Sequence, residues 1–260
     1  MKNASLVVLD EVSMVNQEMG EDLLSFGKKI LVMGDPAQLP PVFGAGYFLQ
    51  GKPDVLLTEI HRQAEGNPIL SLATRVRTGI ELIPGQYGES YVLDKGSKLP
   101  DDVLTYQQIL VGRNDTRKRI NNRIREIRGY QAWHPVSGDR LICLKNNADI
   151  GLLNGTIWTV LNTAYVEGPR IGLEIQSEEG TKLITECHSA PFQGKEIPFW
   201  DKKEAQEFDY GYAVTVHKAQ GSQWDSVLLY DESFCFREHR NKWLYTGITR
   251  AASRVTILKT

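Results

Sequence analysis

Two short apolar runs near the start of the chain constrain its fold most strongly. Leu6-Val7-Val8-Leu9 runs directly into Asp10-Glu11, and the run from Lys29 to Met33 leads into Gly34-Asp35. Each has the length of a buried strand and is too short for a buried helix. Between them Met19, Leu23 and Phe26 recur at helical spacing, which predicts a helix with one apolar face. Strands alternating with helices imply a largely parallel sheet. Acids at the carboxyl ends of such strands stand where open α/β sheets bind ligands.

The alternation continues. Residues 67 to 79 read as a helix, with Asn67 as cap, Pro68 in the first turn, Gly79 as stop and an apolar face of Ile69, Leu72, Ala73 and Val76. Residues 80 to 107 are mixed and turn-rich. A second α/β lobe opens with a strand at 108–111 and a helix at 116–127, whose Ile120, Ile124 and Ile127 share a face. It resumes after residue 209 with strands at 227–230 and 255–258 and a helix at 241–248. In between, short strands at 141–144, 157–161, 171–175 and 182–185 are separated by Gly, Asn and Glu turns, the pattern of a small β-barrel insertion. The expected division is residues 1–82 as a first lobe, 83–107 as a linker, 108–137 with 199–260 as a second lobe, and 138–198 as the insertion.

Composition removes several other classes. The 260 residues are 41% apolar and carry a net charge of -2, unlike a disordered chain. No stretch reaches the roughly 18 apolar residues of a membrane span, so no membrane association is expected. The opening MKNASLVVLDE has too short an apolar run for a signal peptide. Cys143, Cys187 and Cys235 lie far apart with no CxxC, which excludes a disulfide framework and a cysteine zinc site and suits a reducing cytoplasm. Cys187-His188 has no spaced partners and reads as no metal site.

With 32 acids against 30 bases there is no basic surface, so any nucleic acid must use a local groove. The densest cationic run, 113–128, holds seven bases and two acids. If its isoleucines pack inward its cations point outward, as a solvated helix face or a phosphate-tracking contact. Tyr210, Tyr212 and Trp224 fit either base stacking or the core.

The strand-end acids carry chemistry. Asp10 can hold Mg²⁺, and Glu11 can polarise a water that attacks a phosphate. In Gly34-Asp35-Pro36-Ala37-Gln38-Leu39-Pro40-Pro41-Val42, Gly34 permits a tight turn and three prolines stiffen the loop that aims Gln38. A neutral amide on a rigid loop can sense a terminal phosphate without adding charge.

DEVSM followed by GDPAQLPPV resembles motifs II and III of superfamily 1 helicases of the RecD and phage Dda type. LTEIHRQ at 57–63 resembles motif IV, DYGYAVTVHKAQGSQWD at 209–225 motif V, and WLYTGITRA at 243–251 motif VI. The resemblance runs in order over almost the whole chain. It implies a P-loop NTPase-like α/β fold of two RecA-like lobes, the first truncated, with an SH3-like β-barrel in the second. LLNGTIWTV at 152–160 matches that barrel's usual NG turn.

The activity implied is ATP-dependent, Mg²⁺-requiring DNA unwinding, with 5′ to 3′ movement on single-stranded DNA. The implied setting is replication, recombination or repair, in the cytoplasm of a bacterial or phage-infected cell. By resemblance Asp10 holds Mg²⁺, Glu11 is the base, Gln38 reads the γ-phosphate, and Arg62 and Arg250 neutralise charge on the transferred group. Asp35, Gly221 and Gln223 match positions near the nucleotide, and Thr215, His217 and Pro40 match positions that meet DNA. Relatives usually carry Glu where Gln223 stands. The amide keeps a carbonyl acceptor but loses the charge.

One part of the family pattern is missing. GxxxxGK[ST], which cradles and neutralises phosphates, does not occur. The nearest match, GYFLQGK at 46–52, lacks the hydroxyl residue, has no strand before it, and is followed by Pro53, which has no amide to donate. The chain alone is therefore expected to hydrolyse ATP poorly. It reads as a fragment, as one half complemented by a separate N-terminal helicase piece, or as a binding module.

Overall fold

In a computed structural model, which describes residues 4–40, 46–57, 66–198, 200–201 and 205–260, the elements follow the alternation of the sequence. In chain order they are β1 (Leu6–Leu9), α1 (Gln17–Ser25), β2 (Lys29–Val32), α2 (Pro68–Arg77), β3 (Gly85–Tyr87), β4 (Ser90–Leu93), β5 (Gln108–Val111) and α3 (Asn114–Ile127). Then come β6 (Arg140–Cys143), β7 (Ile157–Glu167), β8 (Arg170–Ser177), β9 (Lys182–His188), β10 (Phe208–Tyr210), β11 (Ala213–Thr215), β12 (Trp224–Asp231), α4 (Arg240–Ile248) and β13 (Ala251–Lys259). They fall into two compact units, Met1–Gly112 with Thr215–Thr260, and Arg113–Val214.

In the first unit β1 and β2 pair in parallel, Leu6 opposite Lys29 and Leu9 opposite Val32. Asn16 caps α1, its side chain accepting from Met19 N at 2.9 Å. The expected burial is not found here. Leu6, Val8, Leu31 and Val32 of the strands are exposed, as are Met19 of α1 and Phe26 just after it. The cause is simple: among the described residues this sheet has two strands, with the Leu6, Val8 and Leu31 face open and Val7, Leu9 and Ile30 on the other only half-buried, short of what a buried parallel sheet requires. Residues 46–52 form a single 3₁₀ turn at Tyr47–Leu49, with Tyr47 N donating to Val15 O at 2.8 Å and its ring against Gly20 of α1.

The second sheet of this unit runs β11-β5-β12-β13-β4-β3. The pairs β5–β12, β12–β13 and β13–β4 are parallel, and β3–β4 is antiparallel. Its centre is dry: Val227, Leu228, Leu229, Val255, Ile257 and Trp243 are fully buried. Each such side chain contributes about 1.5–3 kcal/mol. α2 buries Ile69, Leu72, Ala73 and Val76 as its spacing predicts, and Asn67 Oδ1 accepts from Ile69 N at 2.8 Å. The 83–107 segment, expected to be a linker, supplies β3 and β4 to the sheet. Tyr91 to Leu93 pairs with Thr256 to Leu258. Its few apolar residues, broken by turns, hid the strands.

In the second unit an antiparallel sheet runs β10-β6-β7-β8-β9 around Leu141, Leu152, Ile171, Leu173, Ile175 and Phe208. The outward-facing picture of the 113–128 cations needs correction. Ile127 is exposed, whereas Arg125 is buried. Arg125 Nε donates to the fully buried Asp139 at 3.0 Å, and its guanidinium lies 4.2 Å over the Tyr210 ring. Arg117 pairs with Asp209 at 2.7 Å. Asn121 holds two backbone groups, donating to Tyr210 O at 2.9 Å and accepting from Ala213 N at 2.7 Å. The helix thus buries a polar stripe, which an apolar pattern cannot reveal.

Tyr210, Tyr212 and Trp224 are all core residues. Burial, and then Glu186, push the Cys187 thiol up to about 12. Among the described residues no cluster of metal-ligating side chains occurs and no helix is long and apolar enough to cross a membrane.

Candidate active site

The site begins where β1 and β2 end. Met33 N donates to Leu9 O at 2.8 Å and Val12 N to Met33 O at 3.2 Å, so the two strand ends are stitched together. Glu11 sits between them in the left-handed region, φ 51° and ψ 41°, its N donating to Asp10 Oδ1 at 2.8 Å. That conformation costs a non-glycine residue about 1 kcal/mol or more and tends to occur where function demands it. Gly34 allows the close approach. A Cβ there would lie 2.7 Å from Val12 Cγ1 and 3.1 Å from Val12 N.

The loop after Gly34 is clamped to α4. Asp35 Oδ1 accepts from Ala37 N at 2.8 Å, and Asp35 Oδ2 accepts from Tyr245 Oη at 2.5 Å. Leu39 has both backbone groups held: its N donates to Thr246 Oγ1, and its carbonyl accepts from Gln220 Nε2, each at 2.9 Å. Burial, then the bond to Asp35, raise the Tyr245 hydroxyl to about 12, so it donates at any ordinary pH. Gln38 is buried, and its Oε1 has no partner among the described residues. An orphaned acceptor of this kind suits a ligand with a donor to offer.

Arg250 is buried, which sets aside the surface ion pair as its role. Its Nε donates to Thr246 O at 3.1 Å, one terminal nitrogen to Ser222 O at 3.1 Å and the other to Thr249 Oγ1 at 3.2 Å. Burial lowers its pKa, while the charge of Glu11, then Tyr245 and Asp35, works the other way. Arg250, just past the end of α4, thus feels the charge of the strand-end acids Glu11 and Asp35. Asp10, Gly221 and Gln223 are exposed, and Pro40 is half-buried.

Thr215 and His217 lie at a different place, the end of β5. Val216 N donates to Val111 O at 3.0 Å. Thr215 closes the following turn, with Ala219 N donating to its carbonyl at 3.0 Å and Lys218 N to its hydroxyl at 3.4 Å. Burial, then His239, keep the His217 pKa low, so its ring is neutral near pH 7. Arg62, the motif IV arginine, lies outside the described residues. Sequence reasoning missed Tyr245, Thr246 and Gln220. The signal was there: polar residues beside Trp243, Leu244 and Ile248 on a buried helix need partners.

Known proteins can now be set beside this geometry. The description "UvrD-like helicase C-terminal domain" matches residues 210–258, and "AAA domain" matches residues 1–84. The ATP-dependent RecD2 DNA helicase of Deinococcus radiodurans is 29% identical over 286 aligned positions, which take in 96% of this chain. The chain is thus similar in sequence to a RecD-type helicase. It spans 35% of that RecD-type protein's length.

Among solved structures, the Pif1 helicase from Bacteroides in complex with ADP-AlF3 and ssDNA has a TM-score of 0.63 at 18% identity. That match covers 98% of this chain and 70% of the other. The Pif1 helicase from Candida albicans has a TM-score of 0.60 at 17% identity, covering 99% and 72%. At these identities the likeness is one of fold: a mixed α/β, RecA-like helicase architecture.

Proposed function

We propose that this chain forms the C-terminal part of an ATP-dependent DNA helicase that moves 5′ to 3′ along single-stranded DNA. The observation that carries the reading is the clamp of loop 34–40 onto α4 and Gln220, which holds Asp35, Leu39 and the orphaned Gln38 acceptor against the helix whose Thr246 carbonyl also accepts from Arg250 Nε. In phosphoryl transfer, positioning and charge stabilisation do most of the work. Asp10 would hold Mg²⁺ on the nucleotide and Glu11 would take the proton of the attacking water, while Gln38 would accept from that water through its orphaned Oε1 and donate to the γ-phosphate through Nε2. Arg250, and Arg62 with it, would neutralise the charge that develops. Asp35, Gly221 and Gln223 would border the nucleotide, and Thr215, His217 and Pro40 the DNA. Arg250 now donates to Ser222 O, so reaching a phosphate requires it to exchange that bond for a new one. Such an exchange links the nucleotide to the turn that follows Thr215 and His217.

A two-lobe division, with β3 and β4 counted in the second lobe rather than in a linker and an SH3-like barrel in β6–β10, belongs to the same reading. So does a role in replication, recombination or repair. The apolar side chains bared on β1 and β2 favour a covering segment that carries the phosphate loop, in the same polypeptide or as a separate helicase piece.

The test is DNA-stimulated ATP hydrolysis together with binding of a single-stranded oligonucleotide at low salt. The chain alone should bind without robust turnover. Robust turnover that Glu11→Gln abolishes would show that no separate phosphate loop is needed. Failure to bind at low salt would remove the helicase reading.

A further inference from the structure

Three chain segments meet at one end of the six-stranded sheet. β5 and β12 are parallel neighbours, so their carboxyl ends lie side by side. Gly112, just past β5, donates its N to Glu232 Oε2 at 2.8 Å, just past β12. Val216, just past β11, donates to Val111 O at 3.0 Å. Carboxyl ends of parallel strands are where open α/β sheets take ligands. Thr215 and His217 border this end from one side. The 3₁₀ segment Ser233–His239, which follows β12, borders it from the other and has no role so far.

That segment is firmly seated. A Cβ on Gly112 would lie 2.8 Å from Glu232 Cβ and 3.0 Å from Phe236 Cε2, so the segment rests directly on the end of β5. Phe236 has its ring centroid 5.3 Å from that of His217 and 5.4 Å from that of Trp243, with which it stacks at 13°. Ser233 N donates to Asp231 Oδ1 at 3.0 Å and Arg240 Nε to Ser233 Oγ at 3.2 Å.

What this seating leaves outside is unusual. Phe234 is 55% exposed, and Cys235 and Arg237 are exposed beside it. Arg237 has φ 43° and ψ -112°, a conformation that non-glycine residues rarely adopt. From residue 231 to 242 three fixed cations stand against three acids, but Glu232 is buried and Asp231 and Lys242 are half-buried, so Arg237 and Arg240 face outward against Glu238.

An exposed aromatic face beside outward-facing arginines, at the carboxyl ends of parallel strands, matches the chemistry of a nucleic-acid single strand. Bases stack on such a ring and phosphates pair with the cations. We propose that Ser233–His239 is a single-strand contact in which Phe234 stacks on a base and Arg237 meets a backbone phosphate, next to His217. This rests on the DNA-binding reading above and adds an element that the helicase motifs do not contain.

Cys235 provides the probe. It is the exposed cysteine of the three, since Cys143 and Cys187 are buried. The experiment measures alkylation of the native full chain by a maleimide, with and without an oligothymidylate at low salt, and measures binding by fluorescence anisotropy. Saturating oligothymidylate should slow Cys235 alkylation several-fold. Phe234→Ala should weaken binding about tenfold, and Phe234→Trp should restore it. Arg237→Gly, which also relieves the backbone, should reduce the salt dependence of binding by about one phosphate contact.

If the wild-type chain binds the oligothymidylate but Cys235 alkylates at an unchanged rate and both variants bind normally, the contact is refuted while the DNA-binding reading stands. Phe234 would then be an exposed residue for some protein partner. If the wild-type chain does not bind, the DNA-binding reading fails and the contact falls with it.

Discussion

The parallel strand pairs β1–β2 and β12–β13 of the first unit are written in the same residue types and end in opposite conditions. β12 and β13 bury Val227, Leu228, Leu229, Val255 and Ile257 completely, whereas β1 and β2 leave Leu6, Val8, Leu31 and Val32 in contact with water. The difference is not in strand propensity. It lies in neighbours: β12 is flanked by β5 and β13, while β1 and β2 have only each other among the described residues. Burial is a property of the assembly, and an apolar run states only a demand for it. The strand pair with the weaker support nevertheless carries the acids at the site. It is tied to the better-supported sheet through Leu39, Thr246, Gln220, Tyr245 and Asp35.

This contrast can be broken by measurement. Leu228→Ala in the buried sheet should lower unfolding stability by about 2–5 kcal/mol in denaturant titration. Thr246→Val removes the acceptor of a buried backbone N–H while keeping shape, which should cost about 1–3 kcal/mol. Its signature is faster hydrogen exchange at Leu39. An unchanged exchange rate there would mean that the clamp does not hold the loop.

A pH effect should come next. His217 is kept neutral in the fold by burial, so the unfolded chain binds more protons as pH falls. Stability should therefore decline as pH drops through about 6.5, the value of an unfolded histidine, and the loss should be complete below the lower folded value. His217→Gln should flatten that decline in denaturation midpoints taken between neutral and acid pH. His188, also lowered by burial, leaves a residual slope of the same sign.

The smallest effect is expected at Leu31→Ala, within about 0.5 kcal/mol. A cost there equal to that of Leu228→Ala would show that the strand pair is covered in solution, and the contrast would fail.

Much of the fold was legible because local signals were strong. Asn67 and Pro68 set the start of α2, and its four apolar residues are the ones buried. The run at 108–111 is a strand from end to end. β3 and β4 were not legible, because Gly85–Tyr87 and Ser90–Leu93 gain their strand character by pairing with each other and with β13. α3 was placed correctly and faces inward as expected at buried Ile124 and half-buried Ile120, but Ile127 is exposed and Arg125 is buried. Its inward side is held by Arg125, Asn121 and Arg117 through specific partners, and hydrophobic spacing says nothing about those. The site divided in the same way. The acids and Arg250 stood out by motif, while the residues that hold them, Tyr245, Thr246 and Gln220, act through bonds to distant backbone or side-chain groups.

The backbone at Glu11 has a further consequence. Glycine, or asparagine, would occupy φ 51° and ψ 41° more comfortably than glutamate does. Any selection for heat tolerance alone should therefore discard this acid early, since stabilising replacements are common where function opposes stability. Survival of glutamate through such a screen would signal a second pressure acting on the population, one that rewards the carboxylate for something other than keeping the protein folded.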